Sequence, residues 1–159
     1  MTAKMKIFEG PVSPDWIDYN GHMNDACYVV VFAQALDNFI DQIGLDADYR
    51  AQHQVSLYTL QSAVHYLQEV KQGEPLQIFA HLLEHDSKKL RLVLSMQHGD
   101  SGIELALLET LLLHMDMAAK RTSPFLPATL ARIEQLHAQQ AELPWPAQAG
   151  RGIALKRQP

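Results

Sequence analysis

Cysteine occurs once in the 159 residues, at Cys27. A lone thiol allows no intrachain disulfide and no multi-cysteine zinc or iron–sulfur site, and it suits a reducing compartment. Cys27 itself reads as a small residue on an apolar helix face. Long hydrophobic runs are also missing: nothing approaches the roughly 20 apolar residues of a membrane span. The richest stretch, Leu105 to Leu113, is interrupted by Glu109 and Thr110 and has the length of a buried strand. The opening segment MTAKMKIFEGPVSP carries no apolar core of the kind a secretory signal needs. Basic charge is in the minority, with 13 Lys and Arg against 18 Asp and Glu and a formal net charge of −5. That balance disfavours a polyanion such as nucleic acid as the main partner. No Gly-x-Ser-x-Gly elbow and no Gly-x-x-x-x-Gly-Lys loop occurs, so neither a serine hydrolase nor a P-loop enzyme is supported. The expectation is a soluble cytoplasmic protein without nucleic acid or membrane as partner.

What is present is one domain's worth of patterned chain, 47% hydrophobic. Lys4 to Val12 reads as a weak first strand ending at Gly10-Pro11. The turn-rich stretch Ser13 to Asn24 follows, with Pro14, Asp15, Asp18, Asn20 and Gly21. From Asp25 to Ile43, Val29, Phe32, Ala33, Leu36, Phe39, Ile40 and Ile43 recur at helical spacing, with Asn24 as N-cap and Gly44 just past the end. Tyr28, Val30 and Val31 widen that face, so the helix must be largely enclosed.

Asp46 to Gln52 suggests a short second helix, and Val55 to Val70 a long strand closed by the turn Lys71 to Pro75. Leu76, Ile78, Ala80 and Leu82 alternate with Gln77, Phe79 and His81, and Leu90, Leu92, Leu94 and Met96 with Lys89, Arg91, Val93 and Ser95, which is strand period. Gly99 to Gly102 makes a hairpin into the last long strand, Ile103 to Met117. Successive short turns require antiparallel neighbours. Thr129 to Glu142 is a terminal helical segment, and 146–159 is expected to be a C-terminal tail following a single domain, 1–145. A five-stranded sheet curled around one apolar helix, an α+β arrangement, is the simplest way to bury that helix.

The informative string is Asp15-Trp16-Ile17-Asp18-Tyr19-Asn20-Gly21-His22-Met23-Asn24, just ahead of the enclosed helix. A helix N-terminus points backbone N–H groups and its positive dipole end into such a loop, which makes an oxyanion site. A nearby carboxylate could attack a carbonyl held there, or deprotonate the water that does. His22 is placed either to orient substrate or Asp18 or to bond loop carbonyls; Asn24 is first a cap. Asp15 reads as a turn carboxylate. His81 and His85 are four apart, but in a strand and turn rather than on a helix face, so no metal site is expected. His65 and His114 read as sheet histidines.

This string resembles the active-site loop of hotdog-fold thioesterases related to 4-hydroxybenzoyl-CoA thioesterase, in which an acidic residue stands three positions before a glycine. Alignment on Gly21 puts the catalytic aspartate at Asp18 rather than Asp15, with Gly21 and Met23 in the oxyanion loop and His22 and Asn24 beside it. Tyr66, Leu67, Gly73 and Glu74 match the second-strand motif, and the element order matches throughout. A closer likeness is to the thioesterases associated with bacterial carnitine dehydrogenases, thought to release glycine betaine from betainyl-CoA. It is carried by the same string, Tyr58-Thr59, Tyr66-Leu67 and Leu111 to Asp116, with Gln61 departing from an expected acid.

The resemblance implies a hotdog fold, an active site at a dimer interface in a homodimer or homotetramer, and acyl-CoA hydrolysis with no cofactor, coenzyme A being part of the substrate. Trp16, Tyr19, Tyr28, Tyr58 and Tyr66 are candidates for an aromatic box around a quaternary ammonium. Lys88, Lys89, Arg91, Arg121 and Ser123 are candidates to hold the CoA phosphates, Arg121 foremost. The competing readings are a general short- or medium-chain acyl-CoA thioesterase, a hotdog hydratase or dehydratase using His22 with an acid, and a non-catalytic acyl-CoA-binding domain.

Overall fold

The computed structural model describes residues 4–156; Met1–Ala3 of the opening segment and Arg157–Pro159 of the expected tail lie outside the described residues. The central helix α1 spans Asp25–Gln42. Asn24 caps it, its side-chain oxygen accepting the Ala26 N–H at 2.9 Å, and Gly44 ends it at a φ of +93°, where a side chain would be strained. Its buried face is Tyr28, Val31, Phe32, Ala35, Phe39 and Ile40. The expected face is therefore displaced: Val29 and Val30 stand 42% and 46% exposed, and Ala33 is exposed with them, on a flank left open among the described residues.

Strands β1 (Met5–Pro11), β2 (Val55–Tyr66), β3 (Pro75–His85), β4 (Lys89–His98) and β5 (Glu104–Asp116) form one antiparallel sheet in the order β1-β3-β4-β5-β2. A two-residue sixth strand, β6 (Arg121–Thr122), adds to β5, which strand-period reading could not find in so short a piece. The short helix α2 is Ala47–His53. The concave face carries the alternating residues expected: Leu76, Ile78, Ala80 and Leu82 from β3, and Leu90, Leu92, Leu94 and Met96 from β4, all at most 2% exposed. With Ala106, Leu108 and Leu112 of β5 they enclose α1 in a single core, the architecture implied by the resemblance.

β2 ends at Tyr66, four residues before the expected Val70. The N–H groups of Leu67 and Gln68 both turn to one acceptor, Leu105 O, at 2.9 and 3.1 Å, so the chain leaves the ladder there. The convex face is apolar too, with Leu83, Val93 and Leu107 buried. Ala149 packs on them, Gly150 N–H donates to Glu109 Oε1 at 2.8 Å, and Arg91 lies 5.1 Å from the Trp145 ring centre. The first part of the segment expected as a tail thus lies against the sheet. Helix α3 (Pro127–Gln139) is followed by Gln140, whose side chain donates to Ala80 O at 3.0 Å and accepts from Leu82 N–H at 2.8 Å. It occupies the position of a strand partner just where β1, whose pairing begins at Met5 opposite Ala80, has run out.

Candidate active site

The loop between β1 and α1 is built by its own backbone. Ser13 caps a single 3-10 turn, Pro14–Trp16, its hydroxyl accepting Asp15 N–H at 3.2 Å; Asp15 itself is exposed. Asp18 N–H donates to His22 O at 2.9 Å, Asn24 N–H to Trp16 O at 2.8 Å, and Gly21 N–H to Asp18 O at 3.1 Å. These bonds make a miniature hairpin with Ile17 bridged to Met23. Gly21 takes a φ of +78°, a left-handed value cheap for glycine alone. At the turn's start the half-buried Asp18 accepts Asn20 N–H on Oδ1 at 2.8 Å, which fixes the carboxylate and leaves Oδ2 without a partner among the described residues.

Gly21 and Met23 were expected in the oxyanion loop, but both N–H groups are engaged, that of Met23 by Val70 O at 2.9 Å. What they supply is the turn and a buried anchor, Met23 being 4% exposed. At the helix start, Asn24 accepts Ala26 N–H on its side chain and Cys27 N–H on its carbonyl. Among the described residues from Asp18 to Cys27, the N–H groups with no partner are those of Tyr19, His22 and Asp25. Asp25 opens α1, so its N–H carries the positive end of the helix dipole. The spacing signal identified the helix end but not which amide remains available, because that depends on cap geometry.

The aromatic candidates separate. Tyr28 and Tyr66 meet edge to face, ring centres 5.3 Å apart at 89°. Their hydroxyls donate to Gln68 O and Asp25 O at 3.1 and 3.0 Å. Burial raises the pKa of both, reinforced by Glu69 at Tyr28 and by Asp25 at Tyr66. Trp16 packs against the core nearby. Tyr19, by contrast, is 97% exposed. Tyr58 pairs with Leu113, whereas Tyr66 pairs with core-facing Ala106; register therefore puts Tyr58 on the convex face, with its hydroxyl at Met117 Sδ, 3.5 Å. A bulge at Leu60 changes the face parity between the two tyrosines, which simple alternation could not anticipate.

The basic candidates collect at the other end of the sheet, where Lys89 pairs with Leu113 and Arg121 with Asp116. From Ala106, beside Tyr66, to Leu113 is roughly 23 Å of strand. Arg91 leaves the group: it donates to Glu109 and Glu84 at 2.8 and 3.0 Å, and these bonds raise its already high pKa. Ser123 is also engaged, its carbonyl and hydroxyl lying 2.9 and 3.1 Å from His114 Nδ1. Lys88, Lys89 and Arg121 keep free side chains among the described interactions, although the Asp86 carboxylate lies at the same turn, held low chiefly by the Lys88 N–H.

Sequence reasoning missed Glu69. Its Oε2 lies 3.3 Å from His22 Nε2, and both line a cavity of about 420 Å³ with Leu67, Gln68, Lys71 and Glu74. No group of three or more potential metal ligands occurs among the described residues, and no helix among them is long and apolar enough to cross a membrane.

Residues 12–133 match the thioesterase-like superfamily. The chain is 40% identical over 155 residues to the betainyl-CoA thioesterase of Pseudomonas aeruginosa, covering 98% of each. It is 40% identical over 153 residues to the L-carnitine dehydrogenase/betainyl-CoA thioesterase of Agrobacterium fabrum, covering 96% of this chain and 31% of that larger protein. Among solved structures, the SAV2348 protein of Staphylococcus aureus in complex with CoA superposes with a TM-score of 0.91 at 25% identity, over 98% of this chain and 99% of that one.

Proposed function

Because this chain belongs to the thioesterase-like superfamily, we propose that the acyl-CoA thioester it hydrolyses is betainyl-CoA, releasing glycine betaine and CoA in carnitine breakdown. The observation that carries this reading is the near full-length similarity to a betainyl-CoA thioesterase. Asp18 is the reacting carboxylate, held by Asn20 N–H at the start of a fixed turn. It adds to the thioester carbonyl, expelling CoA thiolate and leaving an acyl anhydride that water hydrolyses, or it takes a proton from the water that adds instead. In either course the carbonyl oxygen gains negative charge, and of the three unbonded amides in this stretch the one at the head of α1, Asp25 N–H, is the donor assigned to it, because it carries the positive end of the helix dipole. His22 and Asn24 keep their places as positioning groups, Gly21 and Met23 as the turn that presents Asp18.

Coenzyme A enters as part of the substrate, and no cofactor takes part in the reaction. We place the enzyme in the cytoplasm, on its lone cysteine. It works as a homodimer or homotetramer. The basic side chains Lys88, Lys89 and Arg121 lie at the far end of the sheet from Tyr66, about a strand's length away. Antiparallel pairing of two exposed β2 edges brings that corner of one protomer toward the loop of its partner.

A second reading, a general short-chain acyl-CoA thioesterase, is favoured by one observation: Tyr19 and Tyr58 stand away from Tyr28 and Tyr66, so the aromatic box within one chain is reduced. Thiol release measured with betainyl-CoA and with neutral 3,3-dimethylbutyryl-CoA separates the two. A higher kcat/KM for betainyl-CoA supports the cationic substrate; equal or better turnover of the neutral isostere gives the enzyme to the general class.

A further inference from the structure

The reduced aromatic box leaves a cationic acyl group in need of another recognition element, and segment 67–74 supplies a candidate. This stretch leaves the sheet after β2 and runs beside the Asp18 loop. Its backbone is tied on both sides of Glu69: the Tyr28 hydroxyl holds Gln68 O at 3.1 Å and Met23 N–H holds Val70 O at 2.9 Å. Glu69 therefore has a fixed Cα although its side chain is 77% exposed. Its carboxylate reaches His22, one residue from Gly21 in the catalytic turn, at 3.3 Å, and the pair opens onto the 420 Å³ cavity. The other carboxylate lining that cavity, Glu74, is occupied at Oε2 by Lys71 N–H, and its Oε1 lies 3.9 Å from His98. Two carboxylates against the one lysine give the lining an excess of negative charge. Burial raises the pKa of Tyr28, and the negative charge of Glu69 adds to that rise.

Resting on the betainyl-CoA reading, we propose that Glu69 is a specificity-determining residue: its carboxylate, steadied by His22, supplies the counter-charge for the quaternary ammonium of the acyl group. A trimethylammonium has no N–H to donate, so it can be recognised only by aromatic faces and by charge at a distance. The Glu69 carboxylate supplies the charge, and Tyr66, three residues earlier and 49% exposed, offers an aromatic face, Tyr28 being buried. The neutral isostere has the same shape and gains nothing from the charge.

The measurement is the ratio of kcat/KM for betainyl-CoA to that for 3,3-dimethylbutyryl-CoA, in the wild-type enzyme, Glu69→Gln, Glu69→Asp and Glu69→Lys. Because Glu69 is exposed, all three variants keep the fold, which their thermal midpoints verify. A ratio that falls about tenfold in Glu69→Gln, further in Glu69→Lys, and is largely retained in Glu69→Asp is the result expected from the field of one nearby charge. An unchanged ratio in Glu69→Gln overturns the proposal, including the case where both substrates slow equally, for then Glu69 acts only through His22. A wild-type ratio of one or less removes the cationic-substrate reading itself, whatever the variants do.

Discussion

At the scale of single residues, the proposed chemistry rests on which of two carboxylates three residues apart is held by the fold. Asp18 begins a turn whose amides bind its own carboxylate and carbonyl, whereas Asp15 is exposed on a 3-10 turn with only its N–H bound to Ser13. Asp18→Asn is expected to lower kcat by at least ~10²-fold, the scale of a lost acid–base group, while leaving the thermal midpoint in place. Asp15→Asn is expected to change kcat little, and steady-state kinetics giving equal losses would contradict the assignment. His114 gives a second residue-level expectation. It is fully buried, its Nε2 has no partner among the described residues, and burial lowers its pKa below 6.5 despite the Ser123 carbonyl that opposes this. Between that lowered value and 6.5 the unfolded chain binds the proton and the folded chain does not, so stability rises with pH through this window and is lost as pH falls through it. His81, whose pKa is also lowered chiefly by burial, adds in the same direction. Urea unfolding should therefore show stability falling from pH 7 to pH 5, and a smaller fall in His114→Asn; an identical fall would mean that His114 takes no part.

At the scale of elements, helix ends and strand edges decide what each segment offers. The cap of α1 determines that Asp25 N–H, rather than that of Gly21 or Met23, faces the loop unbonded. The β3 edge shows a different solution: β1 is too short to cover it, and the Gln140 amide pairs with Leu82 N–H and Ala80 O in place of a strand. Gln140 is 2% exposed, so removing its side chain leaves two backbone groups buried without partners. Gln140→Ala is expected to cost about 2 kcal/mol or more in urea unfolding, more than an average surface truncation, because unsatisfied buried polar groups carry their full desolvation penalty. A loss below about 0.5 kcal/mol, the surface range, would show that water reaches this edge.

At the scale of the whole molecule, two apolar surfaces stay open among the described residues: the flank of α1 with Val29, Val30 and Ala33, and the exposed middle of β2 with Leu60 at 51%. An edge strand with free N–H and C=O groups and an apolar helix flank are the surfaces on which the proposed dimer would pair. Val30→Lys is expected to shift the protein toward monomer in sedimentation velocity. In the proposed dimer the basic corner and Asp18 meet across protomers, so the same substitution should also lower kcat/KM for acyl-CoA by at least about tenfold. A fully active monomer would show that one chain holds the whole substrate.

The sequence by itself determined the wrapped-helix architecture, because period-2 and helical apolar patterns are local and mark which side of each element can meet a core. It also determined the Asp18 turn, since Asp, Asn and Gly at those spacings satisfy their own backbone. Tertiary structure alone decided the rest. A bulge at Leu60 put Tyr58 and Tyr66 on opposite faces, and Arg91 was drawn from the basic run into a pair with Glu109, a residue of the neighbouring strand. Glu69, distant in sequence from the catalytic loop, was brought against His22 by the tyrosine and methionine contacts that fix segment 67–74. Such partners are chosen by strand register and long-range packing, neither of which is encoded at the spacing of neighbouring residues.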